Sequence, residues 1–160
     1  MAAVVAQQIT ELSCVMIPLN GVQLLLPNIC VAEILPWRRV KVLDDAPDWC
    51  LGLLGWRGES IPVVRFERFN NTTAEDRKVG RCMIVMNRAR TSDAIPFYAL
   101  AAEGLPRMVQ LTDDDLTNVP TKLGKAEVVS LRVGTESAII PNLELIEQHV
   151  SELTKSRKRA

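Results

Sequence analysis

The 160-residue chain is poor in the groups on which most enzymes and nucleic-acid binders depend. It has one histidine, His149, and seven aromatic residues. Most histidine-dependent acid–base schemes would therefore hang on His149, and few rings remain for stacking nucleobases. His149 lies among Glu147, Gln148 and Val150, where a solvated helix face is the expected setting rather than a catalytic one. The sequence contains no Gly-x-Ser-x-Gly elbow, no P-loop and no Gly-x-Gly-x-x-Gly run, which removes the common nucleophile and phosphate-cradle motifs. Nineteen Lys and Arg against nineteen Asp and Glu leave no net charge to draw the whole protein toward phosphate or an anionic membrane. None of Cys14, Cys30, Cys50 and Cys82 forms a Cys-x-x-Cys pair, so reduced core thiols are expected and structural zinc is not. Asp113-Asp114-Asp115 lacks the Gly and terminal Glu of a calcium loop. No metal or cofactor is expected. No apolar run approaches the roughly 18 residues of a membrane span, and the first residues lack the basic start and apolar core of a secretion signal. A cytoplasmic protein without membrane insertion is expected, in which the sequons at Asn70 and Asn71 have no role.

What is present is a series of short apolar stretches cut by Gly, Pro, Asn and Asp, the pattern of a mainly β sandwich or barrel. Strands are expected near Cys14–Leu19, Val22–Leu26, Val31–Leu35, Leu51–Trp56, Ser60–Phe66, Arg81–Asn87, Ala94–Ala101, Arg107–Leu111, Ala126–Val133 and Glu136–Ile140. Asn20-Gly21 predicts a type I′ hairpin turn, and Arg57-Gly58-Glu59 a second tight turn. Phe69 to Lys78 reads as an exposed loop. Thr112 to Asp115 has the form of a capping box at a short helical piece. Leu143, Ile146, Val150 and Leu153 share one face of a helix expected over about 142–155, leading into a solvated basic tail, Lys155 to Arg159.

The chain also repeats itself. The run from Gly55 to Phe69 can be laid over Arg132 to Ile146, with Glu59-Ser60 on Glu136-Ser137, 77 residues later. That period is too long for a solenoid and suggests two similar β units sharing an apolar interface. One domain over 1–160 is expected, with a first unit at about 14–75, a second at about 79–140 and the closing helix.

All three tryptophans, Trp37, Trp49 and Trp56, fall between Pro36 and Phe69, where Gly52, Gly55 and Gly58 also recur. Trp56 and Leu54 are expected to pack inward. Arg57 is either a surface charge or a side chain projected from a rigid turn into a partner, since Arg and Trp are enriched at binding hot spots.

The run Ala46-Pro47-Asp48-Trp49-Cys50-Leu51-Gly52-Leu53-Leu54-Gly55-Trp56-Arg57-Gly58-Glu59-Ser60-Ile61-Pro62-Val63-Val64 resembles the motif of CheW-like chemotaxis coupling domains. Upstream, Leu26-Pro27 and Val31-Ala32-Glu33-Ile34 fit the same family. The resemblance implies a non-enzymatic adaptor made of two intertwined five-stranded β-barrels around a shared hydrophobic core, with a C-terminal helix. Such adaptors join the cytoplasmic tips of chemoreceptors, in membrane-bound receptor arrays, to the regulatory domain of a CheA-type histidine kinase. It further implies receptor or kinase coupling at Val31, Glu33, Gly52 and Arg57, and a groove between the barrels for the receptor tip. Glu33 with Arg57 can equally be an internal ion pair holding two strands. Flagellar and pilus-driven systems are not separated by these residues.

Three positions depart from the family pattern: Gly55 stands for the usual Asn, Arg65 for an acidic residue, and Asn142 for its later counterpart. Arg65 is expected to change the charge offered to a partner. The alternative from another class is a small β-barrel nucleic-acid binder using the basic tail. A small hydrolase is a third reading, weakened by the missing nucleophile motif.

Overall fold

The computed structural model describes residues 11–71, 80–87 and 97–158. Eleven strands and two α-helices make up these residues. In chain order they are β1 (Leu12–Pro18), β2 (Gln23–Pro27), β3 (Val31–Pro36), β4 (Cys50–Trp56), β5 (Glu59–Val64), α1 (Phe66–Phe69), β6 (Cys82–Met86), β7 (Tyr98–Ala102), β8 (Arg107–Leu111), β9 (Leu116–Asn118), β10 (Glu127–Val133), β11 (Glu136–Pro141) and α2 (Leu143–Lys158). Each stretch expected to be a strand contains one, although residues 94–96 of the seventh lie outside the described residues. Unexpected are β9, with a single apolar side chain, and the four-residue α1.

The strands form a six-stranded sheet, ordered β8-β1-β2-β11-β10-β9, and a five-stranded one, ordered β3-β6-β7-β5-β4. The expected pair of five-stranded units is thus present with one extra short strand, β9. The sheets do not divide the chain near its middle. Strands between residues 31 and 102 build the five-stranded sheet, while 12–27 join 107–141 in the other, so the segments 14–75 and 79–140 each supply both sheets. The physical reason is pairing: β2 runs parallel to β11, which puts the first hairpin beside the last one.

Three apolar clusters make up the core. One packs against the five-stranded sheet with Leu35, Leu54, Trp56, Ile61, Met83 and Val85. Another, with Cys14, Met16, Leu25, Leu111 and Leu131, does the same for the six-stranded sheet. The largest lies between them and takes Val15, Ile17, Leu24 and Leu26 from one sheet and Ile84, Met86, Tyr98 and Leu100 from the other, together with Ile146 and Val150 of α2. Inner strands are therefore buried on both faces. That is why β1, β6 and β7 read as unbroken apolar runs rather than alternating ones.

Turn chemistry differs from expectation at one hairpin. Between β1 and β2 only Gly21 has positive φ, so the turn is not type I′; the Asn20 N–H donates instead to Glu67 Oε2 at 3.2 Å. Positive φ at two successive residues occurs at Arg57 (46°) and Gly58 (79°), between β4 and β5. The Thr112 N–H does donate to Asp115 Oδ2 at 2.8 Å, but it caps a three-residue 3-10 turn. Asn70 is buried, not part of an exposed loop: its Oδ1 accepts the Ala126 N–H and its Nδ2 donates to Glu127, tying the end of α1 to the start of β10. Residues 72–78 of that expected loop lie outside the described residues. The C-terminal helix runs on to Lys158, so the first part of the basic tail is helical, with Lys155, Ser156 and Arg157 exposed.

Candidate functional site

Glu33 and Arg57 belong to opposite edges of one sheet and yet touch. β3 and β4 are the terminal strands of the five-stranded sheet, separated by three others. Twist and coiling bring such edges toward each other. Here the Trp56 indole N–H donates to Glu33 Oε1 at 3.0 Å, and Arg57 Nη2 approaches the same oxygen at 3.3 Å. The Arg57 guanidinium also lies 4.6 Å from the Trp56 ring centre, in cation–π geometry. One carboxylate oxygen thus closes the sheet into a barrel. The Arg57 side chain is still 67% exposed and Glu33 38%, so the clasp stands at the surface. Arg57 is held there by its left-handed backbone and by the turn.

Gly52 is buried at a bulge in β4 and has φ +143°. A Cβ at this position would stand 2.4 Å from the Lys41 carbonyl oxygen. The segment before β4 needs that space, because Lys41 exchanges backbone hydrogen bonds with Leu53, both 2.9 Å long. Gly52 is thus a packing residue. Val31 opens β3 opposite Met86, is half-buried, and precedes a bulge at Ala32. Asn87, which the sequence did not single out, holds this end: its Nδ2 donates to the carbonyls of Ile29 (2.8 Å) and Val31 (3.3 Å). A polar residue directly after an apolar strand was the available signal.

Beside the clasp, β3 lines an apolar groove of about 360 Å³ formed by Ile34, Leu35, Pro36, Arg81, Cys82 and Leu105. It lies where the chain crosses from β7 to β8 and so from one sheet to the other. Leu105 is 76% exposed. Glu33 and Leu35 share one side of β3, the barrel side, and Ile34 and Pro36 the other, as period-two alternation requires. The Cys82 thiol donates to the Gly104 carbonyl, and burial pushes its pKa above the ordinary thiol value, so it is a wall and not a nucleophile. Among the described residues no cluster of His, Cys, Asp or Glu suits a metal ion, and no helix is long and apolar enough to cross a membrane.

Two expectations are corrected. Arg65 offers no charge to a partner: it is buried, with Nη1 2.8 Å from Glu103 Oε1 and 3.5 Å from Glu67 Oε2. The strand before it ends in the core, so its guanidinium is neutralised internally. His149 is not on a solvated face either. It is half-buried, its ring 5.0 Å from that of Phe69 and 6.4 Å from that of Trp49, and Nδ1 donates to the Leu145 carbonyl at 3.0 Å. The third departure, Asn142, caps α2 by accepting the Leu145 N–H at Oδ1.

Comparison with known proteins agrees with this architecture. The CheW-like domain family model matches residues 13–150. The crystal structure of the scaffolding protein TtCheW from Thermoanaerobacter tengcongensis superposes with a TM-score of 0.68 at 14% sequence identity, over 86% of this chain and 88% of that one. No curated protein matches the sequence. With the family model spanning most of the chain and both barrels accounted for, this protein belongs to the CheW-like domain family.

Proposed function

We propose that this protein is a non-catalytic scaffold that couples chemoreceptors to a CheA-type histidine kinase, in flagellar chemotaxis or in pilus-driven motility. In this reading it works in the cytoplasm, at receptor arrays reached through its partners. The observation that carries the proposal is the clasp of Glu33, Trp56 and Arg57 on an exposed sheet edge beside the apolar groove. A groove of this kind accepts the apolar face of a helix, and the clasp offers charge at its rim. Val31 and Ile34 supply apolar surface on the same strand. Gly52 acts indirectly, by letting the segment before β4 pack.

A specific partner surface should bury about 800 Å² on each side. The test is a titration of the purified protein with a receptor cytoplasmic tip and, separately, with a kinase regulatory domain. Val31→Glu and Arg57→Glu are expected to weaken at least one association about tenfold while the thermal midpoint stays near that of the parent. Unchanged affinities for both partners in folded variants would remove this interface.

A further inference from the structure

Most of the protein's arginines near the sites above are paired. Arg57 meets Glu33, Arg65 meets Glu67 and Glu103, Arg68 approaches Asp48, and Arg107 meets Glu136. A different end of the molecule collects cations that are not.

Residues 37–42 form a strap along the free edge of β4. Its backbone is fixed by the two Lys41–Leu53 hydrogen bonds and by the missing side chain at Gly52. Its side chains are left outward: Arg38, Arg39, Lys41 and Val42 are exposed, Val42 at 73%. The last turns of α2 come to the same place. His149 touches Trp49, the residue before β4, and each later residue advances about 1.5 Å along the helix. Leu153 packs on the shared core together with Leu43 and Ala46, just past the strap. Arg157 then lies near enough to Cys50 for its charge to favour the thiolate, against a larger opposing effect of burial. Arg38, Arg39, Lys41, Lys155 and Arg157 make no ion pair with any described residue.

We propose that the strap and the end of α2 form one docking face for an acidic protein segment. Three exposed acids, Asp44, Asp45 and Asp48, come directly after the strap. They would repel a continuous phosphate track, whereas a peptide can space its carboxylates to avoid them. Guanidinium groups receive carboxylates in paired, parallel hydrogen bonds, and Val42 offers a contact for one apolar side chain. This face does not depend on the groove or on a chemosensory role.

The test is fluorescence anisotropy of a labelled oligo-glutamate peptide carrying one leucine, titrated at low salt with the full chain. The charge reversals Arg38→Glu/Arg39→Glu and Lys155→Glu/Arg157→Glu are each expected to weaken binding about tenfold. Arg81→Glu/Arg132→Glu changes the net charge equally on other exposed positions and is expected to shift affinity less than about twofold. All six positions are exposed, and circular dichroism checks that each variant folds. Equal losses in the control pair would reduce the effect to net charge and overturn the proposal. So would a loss confined to one of the two segments, tighter binding of single-stranded DNA or phosphatidylglycerol vesicles than of the peptide, or no peptide binding.

Discussion

The two barrels are the same machine assembled in different chain order. In the five-stranded sheet the order is an edge strand, the β6–β7 hairpin, then β5 parallel to β7 and β4 at the far edge; in the other it is β8, the β1–β2 hairpin, then β11 parallel to β2 and β10. Each has a brace across it, Glu33 with Arg57 in the first and Arg107 with Glu136 in the second. The hairpins β4–β5 and β10–β11 even share a bulge, between Cys50 and Gly52 in one and between Glu127 and Val129 in the other, 77 residues apart. The two hairpins lead into different segments. Arg65 sits at the N-cap of a four-residue helix and is neutralised in the core, while Asn142 caps a sixteen-residue helix. The difference teaches which features the barrel requires and which serve the particular surface. A bulge is common to both, but glycine at the bulge occurs only where the Lys41 strap passes.

The largest expected break in this equivalence is at the two caps. Arg65→Met leaves Glu67 and Glu103 in the core without their shared cation and should cost roughly 3–5 kcal/mol in urea unfolding. Asn142→Ala loses one cap and should cost only about 1 kcal/mol. Equal losses would mean that Arg65 is no more than a cap. Next come the bulges: Gly52→Val forces a side chain into positive φ and onto the Lys41 carbonyl, for about 2–4 kcal/mol, while Val129→Gly should cost about 1 kcal/mol. A mild Gly52→Val variant would show that the strap can move aside. The braces should be weak and alike. Double-mutant cycles on Glu33 with Arg57 and on Arg107 with Glu136 are each expected to give about 0.2–1 kcal/mol, so a larger value at the first would mark the clasp as more than a strut.

Alkaline pH should load both barrels together. Burial raises Cys14 of the six-stranded sheet and Cys50 and Cys82 of the five-stranded one above the thiol value of 9.0, and raises Tyr98 above the phenol value of 10.0. Each group is kept in its neutral form by the fold, so the stability it supports is complete below the unfolded-state value and is lost as pH rises beyond it. The urea midpoint should be level near neutrality and fall above pH 9, with a steeper fall past pH 10 as the unfolded-state tyrosine ionises. A midpoint independent of pH over that range would contradict the burial of these groups.

Much of the candidate site was legible before the fold was known. Arg57-Gly58 read as a tight turn, Gly52 as a place for unusual backbone, and Glu33 with Arg57 as an ion pair or a partner contact. The groove was not legible, because Ile34, Arg81 and Leu105 come from segments far apart in sequence, brought together by the crossover from β7 to β8. The basic tail read as solvated; that it continues α2 and reaches Cys50 depends on where the helix docks.

Alternation, turn residues and apolar runs are local properties, so the chain's own order of residues determined that it would be mainly β, repeated with a period of 77 and closed by a capped helix. Which strand lies beside which is a non-local choice. Parallel pairing of β2 with β11, burial of the Arg65 charge and the meeting of two sheet edges at Glu33 each join residues widely separated along the chain. Those contacts were decided only by the tertiary structure, because the free energy that selects them comes from burying both faces of the inner strands at once.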